Sequence, residues 1–185
     1  MIVITQSVLV SAAKEFSERG YGGADMRKVF GGDHDPARVE EQRHEVANAI
    51  MDSEGTAMRE AQRQAVAAAD SALDRLERVF AAVGRLMADE PVVRAGMRLA
   101  AEARHEFPDR VIDPYGTWHA FLLQTLEQAR DEGVLRDDFD TRSVAWALVA
   151  VGYGAKDLAA YTGDWSMLPE SLSRSLGYVL DGIRA

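Results

Sequence analysis

Apolar residues recur at steps of three and four through most of this chain, and the recurrence is cleanest in its middle. Leu73, Leu76, Phe80, Val83 and Met87 share one side of a helix, and the pattern stops at Asp89-Glu90-Pro91. That spacing predicts an amphipathic helix ended by the proline, with a second helix starting on Pro91. Upstream, Val8, Leu9, Ala12, Ala13 and Phe16 predict a helix over residues 5 to 21 that ends at Gly20, followed by a short helix over residues 24 to 30. Val46, Ile50, Met51, Met58, Ala61, Ala65 and Ala68 then predict a long helix over residues 44 to 70, with Gly55 as its weak point. The run His105-Glu106-Phe107-Pro108-Asp109-Arg110 reads as a loop. A further helix opens at Asp113-Pro114 and closes on Gly133.

The pattern changes over residues 141 to 161, where Val144, Trp146, Leu148, Val149, Val151, Tyr153 and Leu158 surround the helix. A helix without a polar face must be covered on all sides. The last helix, with Leu168, Leu172, Leu176, Val179, Leu180 and Ile183, is amphipathic and can cover only part of it. The surplus predicts a partner, with Leu148 expected in that contact. Every predicted element is helical, so the fold class is all-α.

At 185 residues and 47% hydrophobic, the chain suits one or two closely joined domains with a sizeable core. No apolar run approaches the roughly 18 residues needed to span a bilayer. The start, MIVITQSVLVSAAKEF, lacks the basic region and cleavage site of a secretory signal, so a cytoplasmic protein without membrane association is expected. The absence of cysteine removes disulfides, thiol nucleophiles and thiolate metal sites together. No nucleophile triad, phosphate loop or metal motif stands in the sequence, and no cofactor is implied. Asp33-His34-Asp35 reads as a solvated loop in which Asp35 caps a helix opening on Pro36, in preference to a metal site. A net charge of -9 argues against general affinity for nucleic acid. From residue 33 to 45 the carboxylates Asp33, Asp35, Glu40, Glu41 and Glu45 face only Arg38 and Arg43.

The run Pro91-Val92-Val93-Arg94-Ala95-Gly96-Met97-Arg98-Leu99, with the helix before it, resembles the ligand-binding core of the TetR family. Within that family it resembles the γ-butyrolactone receptors of actinomycetes. Ala12-Ala13, Phe16 and Glu18-Arg19-Gly20-Tyr21 are similar to the first helix of the family's DNA-binding domain. The resemblance implies a small N-terminal helix-turn-helix-like domain over residues 1 to 45 and a ligand-binding and dimerisation domain over 46 to 185. It also implies a twofold homodimer through a four-helix bundle of the last two helices, and a small apolar or amphipathic ligand such as a lactone, furan or polyketide-like compound. Trp118 matches a tryptophan that lines the receptors' cavity. Leu122 and Thr125 share its helical face, and Phe80, Val83, Met97 and Tyr153 complete the expected ligand-binding set. From helical spacing alone, Trp118 reads as a core residue, and only the resemblance sets the cavity reading level with it.

The departures from the family are local. The segment GGDHDPARVEEQRHE is shorter than the family's recognition segment and lacks its Lys-Gly pair, Tyr and Phe. DNA contact therefore falls to Arg27, Lys28, Arg38 and Arg43, and weak, salt-sensitive binding without a tight operator complex is expected. Glu54 stands where the receptors tend to have Gln. Ala155, followed by Lys156 and Asp157, stands where they tend to have Thr; these two charges either face the ligand, pair across the dimer or reach solvent. Two readings of function result. The main one is a small-molecule-sensing transcriptional regulator. The alternative is a repurposed TetR-fold protein that has lost DNA binding and serves natural-product biosynthesis as a ligand-binding protein or enzyme, with Glu54, His119 and Lys156 as acid-base candidates.

Overall fold

The computed structural model describes residues 4–31, 35–102, 104–111 and 113–185. Its eight α-helices, among the described residues, are α1 (Gln6–Gly23), α2 (Met26–Phe30), α3 (Pro36–Ala67), α4 (Ala72–Asp89), α5 (Pro91–Glu102), α6 (Pro114–Asp131), α7 (Thr141–Thr162) and α8 (Leu168–Asp181). A 3-10 turn, Arg104–Glu106, follows α5. The only β feature among these residues is a bridge pairing Leu135 with Arg184. Asp33 and His34 lie outside the described residues.

The long third helix starts eight residues earlier than its expected start near residue 44. The Asp35 carboxylate accepts a hydrogen bond from the Ala37 N–H at 3.3 Å, and Pro36 occupies the first helical position, where its missing N–H costs nothing. Val39, Gln42, Val46, Ala47, Ile50 and Met51 are then buried at steps of three and four. Glu40 and Glu41 turn outward. Residues 36 to 45 are thus the opening turns of α3, with no separate helix between α2 and α3, and α3 passes Gly55 unbroken. In α1 the chain kinks at Gly20, φ 71°, and helical structure resumes to Gly23.

The chain packs as two units, Met1–Arg59 with Glu90–Ile112, and Glu60–Asp89 with Asp113–Ala185. In the first, Ala12, Ala13 and Phe16 of α1 meet Ala95 and Leu99 of α5 and Val46, Ala47 and Ile50 of α3 in one apolar cluster. Phe16 stacks on Tyr21, Tyr21 meets the edge of Phe107, and Phe107 stacks on His44 at 4.5 Å. These rings tie α1 and the segment after α5 to α3. Arg98 of α5 adds a hydrogen bond to the Ser17 carbonyl at 2.5 Å, satisfying an acceptor near the end of α1.

The second unit buries Leu76, Leu122, Leu126, Leu148, Leu168, Leu172, Leu176 and Leu180 from four helices. Its loops are anchored by side chains: Glu132 accepts from the Ala72 N–H at 3.1 Å, and Arg75 donates to Gln128 at 2.7 Å. One expectation is corrected here. Leu148 is 0% exposed within its own chain and faces this core, whereas Trp146 (68% exposed), Leu158 (67%) and Tyr161 (89%) of α7, with Tyr178 (72%) of α8, form the uncovered apolar face. An all-apolar helix does not reveal which side its own chain will cover.

Helices α4 and α8 pack closely at Gly84. A Cβ placed there would lie 2.9 Å from the Pro169 Cα and 3.2 Å from Leu172 Cδ1. Alanine normally improves a helix by about 1 kcal/mol over glycine, but overpacking of this kind costs about 1–3 kcal/mol. Gly84→Ala should therefore lower stability, read as a fall in the urea midpoint at unchanged slope; a rise would mean that α8 moves aside freely.

Candidate functional site

In the second unit, α6 is launched by Asp113, whose carboxylate accepts from the Gly116 N–H at 2.9 Å, with Pro114 in the first turn. This start fixes the helical phase that follows. Tyr115, Trp118, Phe121 and Leu122, and Thr125 fall at successive steps of three and four along α6. Trp118 is half-buried and meets Phe121 edge-on, ring centroids 6.1 Å apart. Tyr115 stacks on Tyr153 of α7 at 4.4 Å. Lys156 reaches back over the Tyr153 ring at 5.8 Å and pairs with Asp157 at 2.5 Å.

The expected ligand-binding residues therefore separate by environment. Trp118, Tyr153 and Val83 are half-buried, while Leu122, Thr125 and Phe80 are buried. Thr125 donates to the Phe121 carbonyl at 2.8 Å, which leaves its oxygen with lone pairs only and makes it an acceptor toward any further group. Tyr115, absent from the expected set, is brought against Tyr153; its place one helical turn before Trp118 was the signal available. His119 is half-buried on α6. Lys156 is engaged with Asp157 of its own chain and the Tyr153 ring, a pairing that the sequence reading did not offer.

Glu54 and Met97 belong to the first unit, and both are half-buried. Gly96 of α5 crosses directly over Glu54: a Cβ at residue 96 would lie 2.3 Å from Glu54 Cβ and 3.2 Å from the Ile50 carbonyl oxygen. Burial pushes the Glu54 carboxyl up to about 7 against the attraction of Arg59 and Arg110. Arg110, in the segment read as a plain loop, donates to Asn48 at 3.0 Å and to Asp52 at 2.7 Å, clamping that segment to α3. Among the described residues no group of three or more His, Cys, Asp or Glu is placed to hold a metal ion.

Of the four basic side chains expected at DNA, Arg43 and Lys28 are engaged with nearby acids. Arg43 pairs with Glu40 at 3.1 Å, donates to the Ala24 carbonyl and lies over the Tyr21 ring. Burial, reinforced by Glu40, raises the Tyr21 hydroxyl to about 12, so it stays protonated. Lys28 faces Asp25 at 3.9 Å, and Arg19 faces Glu15 at 3.3 Å. Arg27 and Arg38 are exposed.

The family described as tetracyclin repressor-like, C-terminal domain, matches residues 70–169. Solved structures similar to the chain include a γ-butyrolactone receptor described as an ArpA-like protein, at 22% identity over 96% of this chain and 86% of that one, TM-score 0.73. CprB of S. coelicolor A3(2), described as a TetR family protein, is 24% identical over 97% of this chain and 88% of its own, TM-score 0.73. The ketosteroid transcriptional regulator KstR2 of Mycobacterium tuberculosis is 18% identical over 100% and 97%, TM-score 0.66. At these identities the likeness is one of fold. No curated protein matches the chain.

The contact between Tyr115 and Tyr153 joins α6 to α7 on the aromatic side of the second unit. Stacked pairs of this kind contribute about 0.5–1.5 kcal/mol beyond area burial. A double-mutant cycle of Tyr115→Leu and Tyr153→Leu, followed by urea denaturation, should return a coupling in that range; a coupling of zero means the rings do not touch in solution.

Proposed function

The chain belongs to the tetracycline-repressor family, and from that membership we propose that it is a ligand-sensing regulator, a homodimer whose second unit takes a small apolar or amphipathic compound. The observation that carries the reading is the aromatic cluster of Tyr115, Trp118, Phe121 and Tyr153 beside Lys156. Flat rings with one cationic group favour a ligand with an apolar body and a polar or carbonyl end, such as a lactone, furan or polyketide-like compound. The uncovered Trp146, Leu158, Tyr161 and Tyr178 supply the face for a second copy.

A second reading rests on its own observation. Residues 36 to 67 form one helix, and Arg43, Lys28 and Arg19 already face carboxylates, so few cations remain to neutralise phosphates. On this reading the fold keeps its ligand and has given up its operator, serving natural-product biosynthesis as a binding protein or enzyme.

Titration with an alkyl γ-butyrolactone should quench tryptophan emission. The quenching should vanish in Trp118→Phe and survive in Trp146→Phe and Trp165→Phe; retention in the Trp118 variant removes the assignment. Native mass spectrometry of the purified protein would show any retained compound directly. Sedimentation should give a dimer that Tyr161→Asp converts to monomer. For DNA, no footprint on a palindromic duplex is expected at nanomolar protein and physiological salt, and a salt-resistant footprint would restore an ordinary repressor.

A further inference from the structure

Independently of the ligand reading, we propose that the crossing of α3 and α5 is a proton-operated joint, in which Glu54 sits under Gly96 as a neutral carboxylic acid and its ionisation loosens the contact. The geometry is the first support. With the Glu54 Cβ and Cγ and the Ile50 carbonyl all within 3.2 Å of where a residue-96 side chain would begin, α5 leaves no room for a side chain where it crosses Glu54. The stem of Glu54 is pinned beneath a helix, and its carboxyl loses water as a result.

The second support is that this loss is only partly compensated. Glu54 makes no hydrogen bond or ion pair among the described residues. The charges whose field reaches it are Arg59, on its own helix, and Arg110, in the segment after α5, and both have other partners. Arg59 donates to the Thr56 hydroxyl at 3.3 Å, and Arg110 is held by Asn48 and by Asp52, itself two residues from Glu54. Among the side chains described in that segment, the other titratable groups, His105, Glu106 and Asp109, are exposed. On α5, Arg94 lies two residues from Gly96, about 200° around the helix and away from the crossing. Arg98 and Glu102 pair with each other and border Gly20 of α1, and Glu90 is exposed. The face that α5 turns to Glu54 is therefore uncharged, and a desolvated acid there holds its proton to about pH 7.

Ionisation changes two things together. An anion under Gly96 gains by re-entering water, which requires α5 to lift from α3. It also competes with Asp52 for Arg110, pulling on the clamp that holds the 104–111 segment to α3. The direction of the stability change follows from proton binding. The native state holds a proton between the ordinary carboxylate value of 4.5 and about 7 that the unfolded chain has released. Stability from this group is therefore greatest on the acid side of that window and declines as pH rises through it.

The test uses the full chain. Urea midpoints from pH 5 to 8.5 should fall with pH in the wild type. Glu54→Gln, which imitates the protonated acid, should remove most of that slope and favour the folded state at pH 8 by up to roughly 300-fold. Equal slopes in both proteins would overturn the proposal. Carboxyl carbon NMR of the wild type reads the group without mutation: a Glu54 midpoint near 7 is expected, and one below 5 overturns it. Hydrogen exchange separates a joint from a mere buried acid. Amides of residues 93 to 99 should lose protection between pH 6 and 8, after correction for intrinsic rates, in the wild type and not in Glu54→Gln. Unchanged protection alongside a midpoint near 7 would equally overturn the joint.

Discussion

Where a helix crosses close over a neighbour there is room only for glycine, and Gly96 is that residue where α5 crosses Glu54 and the Ile50 carbonyl of α3. The first unit depends on that approach. It brings Ala95 and Leu99 into the cluster with Phe16, Val46 and Ile50, and it sets α5 where Arg98 reaches the end of α1. The same contact strips water from Glu54. One glycine thus serves a packing role and leaves beneath it a carboxyl that burial pushes up to about 7. The resemblance-bearing run from Pro91 to Leu99 has a physical reason for its central Ala-Gly step: small residues at that point are what the crossing requires.

How much of this was legible in the sequence differs from element to element. The helices α4 and α5 were readable because an apolar stripe at three-and-four spacing meets a proline that cannot continue the first helix. The helix opening on Pro36 under an Asp35 cap was readable, but its continuity with the helix expected from residue 44 was not, although Val39, Gln42, Val46 and Ile50 hold the helical period across both. Glu40 and Glu41 lie on the outer face of that one helix. In α7 the extent was clear and the orientation was not. Leu148 and Trp146 are both apolar, and only the packing of α6 and α8 decides that the smaller faces inward. Glu54 carried no sequence signal of its burial, since the residue that covers it lies 42 positions away.

The second unit shows how local chemistry places an aromatic cluster. The Asp113 carboxylate and Pro114 fix where α6 begins, and everything downstream inherits that phase. A start shifted by one residue would rotate Trp118 and Tyr115 by about 100° and break the stack on Tyr153. The residues that touch one another here are thus held by a cap that touches none of them.

The uncovered rings of α7 and α8 also bear on how much of this protein a cell can keep. Exposed apolar side chains such as Trp146, Leu158, Tyr161 and Tyr178 are the kind of surface that chaperones hold and proteases survey. If the proposed second copy is what covers them, abundance follows a threshold in synthesis rate: below it, solitary chains are cleared before they meet, and above it they escape together.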